Sequence, residues 1–200
     1  AGQPADMPAI NRVANDKNLH VVEDCAQCHG AVYQGRKMGS FGICGSYSFQ
    51  QFKNMTCGEG GMVVTNDEKF AELLDYSFSK FGRVKGGHWY DHSYAATNAT
   101  LTELQAGVLL AQFERLEEQT ERRARAGKYL IEALADVPGI EPLEWAPGTG
   151  RHGYHLFVFY YDADSFGGAP RKSLVDALNA ELGSEDRRAE NGQSISGKTG

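Results

Sequence analysis

Between Asp6 and Asp24 the apolar pattern changes from a helical to an extended period within a few residues, and this change constrains the fold most strongly. Asp6 precedes Met7-Pro8, the arrangement of an N-cap with proline in the first turn. Ile10, Val13 and Ala14 then form an apolar helical stripe that ends near Asn18. Leu19 to Asp24, LHVVED, is a short apolar run closed by two acids, the pattern of a buried strand. A helix feeding directly into a buried strand implies a layered α/β sheet.

The rest of the chain extends this order. Residues 35–45 carry four glycines and read as loop, while SYSF (46–49) and GMVVTN (61–66) are further strands, separated by the polar loop QQFKNMTCGEGG. Residues 67–79 form an amphipathic helix, and 80–97 a long loop rich in Gly, His and Tyr. Leu101, Leu104, Val108, Leu109, Phe113 and Leu116 start a long helix that Thr100 and Glu103 would open as a capping box. It runs to about Val137, where Pro138-Gly139 stops it. YHLFVFYY (154–161) has the composition of a strand, and 171–182 that of a helix. The chain thus divides into an α/β part with its connecting helix (1–137), a small α+β part (138–182), and a tail (183–200) without apolar periodicity, read as disordered or divergent.

A formal net charge of −6 argues against a nucleic-acid surface. No apolar run approaches the roughly 18 residues needed to cross a bilayer. Four cysteines crowded into one third of the chain do not make a disulfide-stapled scaffold, so a reducing cytoplasm is expected. The chain opens without Met, directly on a turn and helix, which is expected of a fragment.

Cys25-Ala26-Gln27-Cys28-His29 is a literal C-x-x-C-H and admits three chemistries. A c-type haem requires export and a second axial ligand, yet the chain shows no export signal and none of its four methionines stands out as that ligand. Structural zinc requires a second ligand pair, and Cys44 and Cys57 are not spaced as one. A redox dithiol opens a helix, whereas Gly30 and an extended stretch follow here. Two small, semi-buried core residues remain the plainest reading, and no metal is expected.

The neighbours carry more chemistry. Asp24 closes a strand, and strand ends of open α/β sheets collect ligand-binding groups. Lys53 follows the next strand in a glycine-rich loop. Pyridoxal 5'-phosphate (PLP) needs an amine for its aldehyde and a carboxylate for its pyridine nitrogen. On spacing alone, a solvated loop lysine and a strand-end cap or turn acid are the stronger readings of the pair.

The stretch VVEDCAQCHGAVYQGRKMGSFGICGSYSFQQFKNMTCGEGGMVVTND closely resembles the PLP-dependent DegT/DnrJ-type sugar aminotransferases of fold type I. Its anchors are E-D-x-A-Q-x-H-G-A, G-x-x-G, S-F, K-N and a G-E-G-G turn before an apolar strand and T-N-D. LTELQAGVLLAQFERLEE looks like the family's helix after its N-Y-R motif, and YHLFVFYYD like its small-domain strand. The resemblance implies an incomplete large-domain sheet with flanking helices, a long connecting helix and a small α+β domain.

It also implies roles. Lys53 would form the Schiff base and move the substrate proton, and Asp24 would pair with the pyridine nitrogen. Gln27 would contact the ring near its phenolic oxygen, and Ser48 would bind the phosphate. Asn98 would reach the phosphate of a neighbouring subunit, so a homodimer with shared sites is implied; its bland alternative is a cap before Thr100. His29 fits the pattern without an assigned role. QQ before FKNM and the MT-x-GEGG after it resemble the members acting on cyclitols and amino-shikimates.

Thr100 stands where the family has arginine, and the family carries a long segment ahead of the position matching Ala1. The implied activity is amino transfer from glutamate or glutamine to a keto-sugar or keto-cyclitol. The alternatives are a PLP-dependent sugar dehydratase, whose relatives replace the lysine with histidine, and an inactive truncated remnant.

Overall fold

The computed structural model describes residues 1–83, 85–93 and 95–181; the tail expected over 183–200 lies outside them. Two compact units are present. Among the described residues, one contains Ala1–Ala124 and Trp145–His155, the other Arg125–Glu144 and residues 156–181.

The first unit opens with α1 (Met7–Asp16), capped by the Asp6 carboxylate, which accepts from the Ala9 N–H at 3.1 Å. Next come β1 (Val22–Asp24), a hairpin of β2 (Val32–Tyr33) and β3 (Arg36–Lys37), then β4 (Cys44–Ser48) and β5 (Gly61–Val64). β1 runs parallel to β4, pairing Asp24 with Ser46, and β5 runs antiparallel to β4. β7 (Thr149–Arg151) returns to this unit and pairs with β2. α2 (Glu68–Leu74) is capped by Asp67, whose carboxylate accepts from the Lys69 and Phe70 N–H groups. α3 (Glu103–Leu134) is the long helix.

One core cluster joins Met7, Cys25, Cys28, Ala31, Tyr33 and Met38; a second joins Phe49, Met55 and Leu109. In the second unit β6 (Ile140–Pro142) pairs antiparallel with β8 (Phe159–Tyr161), and α4 (Arg171–Glu181) follows.

Four expectations change. The strand expected over 19–24 shrinks to three residues, and its burial is inverted: Val22 is 61% exposed while Glu23 is 4% exposed. The helix expected over 67–79 is α-helical only to Leu74, and residues 75–79 widen into a π turn. The capping box sits two residues later than Thr100. Thr102 Oγ1 accepts from the Gln105 N–H and Gln105 Oε1 accepts from the Thr102 N–H, because the helix begins at Glu103. The strand expected over 154–161 exists only from Phe159. Tyr154 has a positive φ of 43°, which breaks extended geometry, and Tyr154 and His155 belong to the first unit.

Candidate active site

Asp24, Gln27, Ser48 and Lys53 all lie in the first unit, at or beyond the C-terminal ends of the parallel strands β1 and β4. That edge is where open α/β sheets place ligands, because the chain there turns from ladder into loop and frees side chains. Asp24 is exposed; its Oδ1 accepts from the Ala26 N–H at 3.0 Å, and Oδ2 has no partner among the described residues. The bond starts a turn over Cys25–Cys28, closed by the Cys28 N–H donating to the Cys25 carbonyl at 2.9 Å. Gln27 is half-buried on that turn, and its Oε1 accepts from the Ala1 amino group.

Lys53 follows β4 on a turn in which its own N–H donates to the Gln50 carbonyl at 2.9 Å. No carboxylate pairs with its ammonium among the described residues. Its charge is felt by the Ala1 amino group, His29 and His155, each of whose pKa is lowered first by burial and in part by Lys53. His29, 2% exposed, falls to about 4 and is neutral, the Ser48 backbone offsetting part of that shift. Ser48 ends β4 half-buried, its Oγ accepting from the Gln50 N–H at 3.4 Å.

Gly153 ties these pieces together. Its carbonyl accepts from Asn54 Nδ2 at 2.8 Å, and its N–H donates to the Gly2 carbonyl at 2.8 Å. A Cβ on Gly153 would stand 3.3 Å from the Gln27 carbonyl, so the lysine loop and the Gln27 turn rest on one residue. Asn54, Gly153 and His155 carried no role in the sequence reading. Asn54 sits in the K-N anchor, but its partner is 99 residues away.

Asn98 is exposed, and its contact is local: its Oδ1 accepts from the Thr100 N–H at 3.1 Å. Cys25 and Cys28 are free thiols inside the first core cluster, and burial pushes the Cys25 pKa up to about 12. Among the described residues no group of three or more His, Cys, Asp or Glu is placed to hold a metal. No helix among them is long and apolar enough to cross a membrane.

A cavity of about 630 Å³ in the same unit is lined by His29 and by apolar residues such as Phe49, Met55, Leu109 and Phe113. Two of its charged lining groups, Lys37 and Glu117, are paired with each other at 2.6 Å. Its lining includes neither Lys53 nor Asp24.

The donor set at the strand ends suits PLP: an unpaired amine, a carboxylate with a free oxygen, an amide and a hydroxyl.

Comparison with known proteins agrees. A profile of the DegT/DnrJ/EryC1/StrS aminotransferase family matches residues 1–185. An L-glutamine:2-deoxy-scyllo-inosose aminotransferase of Streptoalloteichus tenebrarius is 35% identical over 192 residues, covering 90% of this chain and 44% of that protein. A dTDP-3-amino-3,4,6-trideoxy-alpha-D-glucose transaminase of Streptomyces venezuelae is 40% identical over 158 residues, covering 78% of this chain and 40% of that protein. The crystal structure of a DegT DnrJ EryC1 StrS aminotransferase from Brucella abortus superposes with a TM-score of 0.79 at 29% identity, covering 90% of this chain and 45% of that one. The chain therefore has the fold of these aminotransferases and spans less than half the length of each of them.

Proposed function

The chain belongs to the DegT/DnrJ/EryC1/StrS aminotransferase family, and on that premise we propose that the protein carrying it is a PLP-dependent aminotransferase. It moves an amino group from glutamine or glutamate to a keto-sugar or keto-cyclitol. The observation that carries this reading is the unpaired Lys53 amine and the half-free Asp24 carboxylate on one edge of the β1–β4 pair, tied through Gly153.

When bound, PLP supplies a ring that withdraws the electron pair left on the amino-bearing carbon. Asp24 keeps a proton on the ring nitrogen. Lys53 would hold the cofactor through its Nζ and would supply the amine that carries the substrate proton. Gln27 orients the ring at its phenolic oxygen, and the Ser48 hydroxyl donates to the phosphate. Asn98 reaches the phosphate in a second copy, making a homodimer with shared sites in the cytoplasm. The relatives' names support both acceptor classes, an inosose and a dTDP-linked sugar.

The test is product analysis with PLP, L-glutamine and either 2-deoxy-scyllo-inosose or a dTDP-linked keto-sugar. An amine product that Lys53→Ala abolishes is expected. A deoxy keto product without amine, or amine formation that survives Lys53→Ala, would contradict it.

A further inference from the structure

We infer that Glu23 is a positioning residue that sets which of two adjacent acids, Glu23 or Asp24, faces the site. The inference rests on the reading of Asp24 as the ring-nitrogen partner.

Side chains alternate along a strand, so slipping β1 by one residue would exchange Glu23 and Asp24 between faces. β1 resists this poorly on its own. It is three residues long, and β4 is its only pairing strand among the described residues. The inward acid is held by bonds outside the ladder. Glu23 Oε2 accepts from the Gly39 N–H at 2.6 Å, and Oε1 accepts from the N–H groups of Phe41 at 2.5 Å and Gly42 at 2.7 Å. No Lys, Arg or His pairs with this carboxylate among the described residues, so backbone dipoles alone compensate its burial.

The loop is built to approach this closely. Gly39 has φ +87°, a Cβ at Gly42 would overlap the Val21 carbonyl, and one at Gly45 would lie 2.5 Å from Gly39 Cα. The Tyr47 hydroxyl holds the loop from its other side, donating to the Met38 carbonyl at 2.6 Å. An Asp at the inward position would be one methylene too short to span all three N–H groups. Register therefore follows from side-chain length: Glu goes in, and Asp is left at the site edge.

Glu23→Gln keeps the size but turns one acceptor oxygen into an amino group facing N–H donors. Amide hydrogen exchange, read by NMR on the chain, is expected to quicken about tenfold at Gly39, Phe41 and Gly42. The same is expected at Ala26, whose N–H is bonded to Asp24. Glu23→Asp keeps the charge on a shorter arm and gives the same pattern at smaller size, covering a Gln variant that fails to fold. Leu109→Ala, a core truncation elsewhere in the unit, is the control for general loss of stability.

Quickening confined to 39–42, or equal quickening at Ala26 in Leu109→Ala, would overturn the inference. PLP titration followed by absorbance is expected to show about tenfold weaker binding for Glu23→Gln and not for Leu109→Ala. A wild-type protein that takes up no PLP would defeat the reading of Asp24, while the exchange at Ala26 would still decide what Glu23 does.

Discussion

Segments 23–54 and 80–100 both carry residues expected at the site, and they are built in opposite ways. In the first, side chains are committed: Glu23 to three N–H groups, Asn54 to Gly153, and Gly30, Gly39, Gly42 and Gly45 to places with no room for a Cβ. In the second, most residues are exposed, Gly86 has no atom within 4 Å of where a Cβ would sit, and among the described residues the side chain of Asn98 bonds to Thr100 alone. Its best-defined contact is local, the Arg83 guanidinium 3.5 Å over the Trp89 ring. The difference separates what this chain preorganises, the edge proposed to hold the cofactor ring, from what it only presents, the residue proposed to serve a second copy.

The largest contrast is catalytic. Asp24→Asn is expected to lower amino transfer roughly 10³-fold, because the ring nitrogen loses its charge partner. Asn98→Ala is expected to cost about tenfold, mainly in PLP affinity, because one neutral hydrogen bond is lost. Steady-state kinetics and PLP titration check both; equal losses would erase the distinction between the two segments.

The next contrast is in stability. Gly30 and Gly86 have nearly the same φ, +73° and +74°, so backbone strain alone would make their alanine variants alike. A Cβ at Gly30 would stand 2.7 Å from Oγ1 of Thr120, which is 0% exposed and fixed by donating to the Leu116 carbonyl. Gly30→Ala is expected to cost about 3 kcal/mol, and Gly86→Ala about 1 kcal/mol, in urea unfolding.

The smallest contrast is electrostatic. Arg151, with Nε and a second guanidinium nitrogen donating to the Gly30 carbonyl, also donates to Glu117 at 2.6 Å. With Lys37 as well, it lowers the Glu117 pKa from 4.5 to about 2. A depressed carboxylate pKa stabilises the fold above the unfolded value and loses that contribution as pH falls from about 4.5 towards 2. Glu117 is 65% exposed, so screening leaves about 1 kcal/mol at most. Glu117→Gln should flatten thermal stability across that pH window, which thermal unfolding at a series of pH values checks.

What the sequence made legible was local. The Asp6 cap and the strand-end acid rest on neighbours a few residues away. Lys53 and Asp24 were visible through motif anchors, not through geometry. Glu23 was not, because its three partners lie 16 to 19 residues on, and an acid beside an apolar run looks like a strand's end rather than its inward face. Arg151 and Gly153 were invisible for the same reason, since they bond to residues 121 and 99 positions away. The strand expected over 154–161 failed because its apolar composition could not reveal the turn at Tyr154.

Lys53 is proposed as the amine of a cofactor site assembled with Asp24 at the ends of β1 and β4. Reducing the PLP-loaded protein with borohydride and mapping the pyridoxyl-bearing peptide tests it directly. The label is expected on Lys53, within the peptide that runs into Asn54-Met55; a label on another lysine, or none at all, would contradict the account.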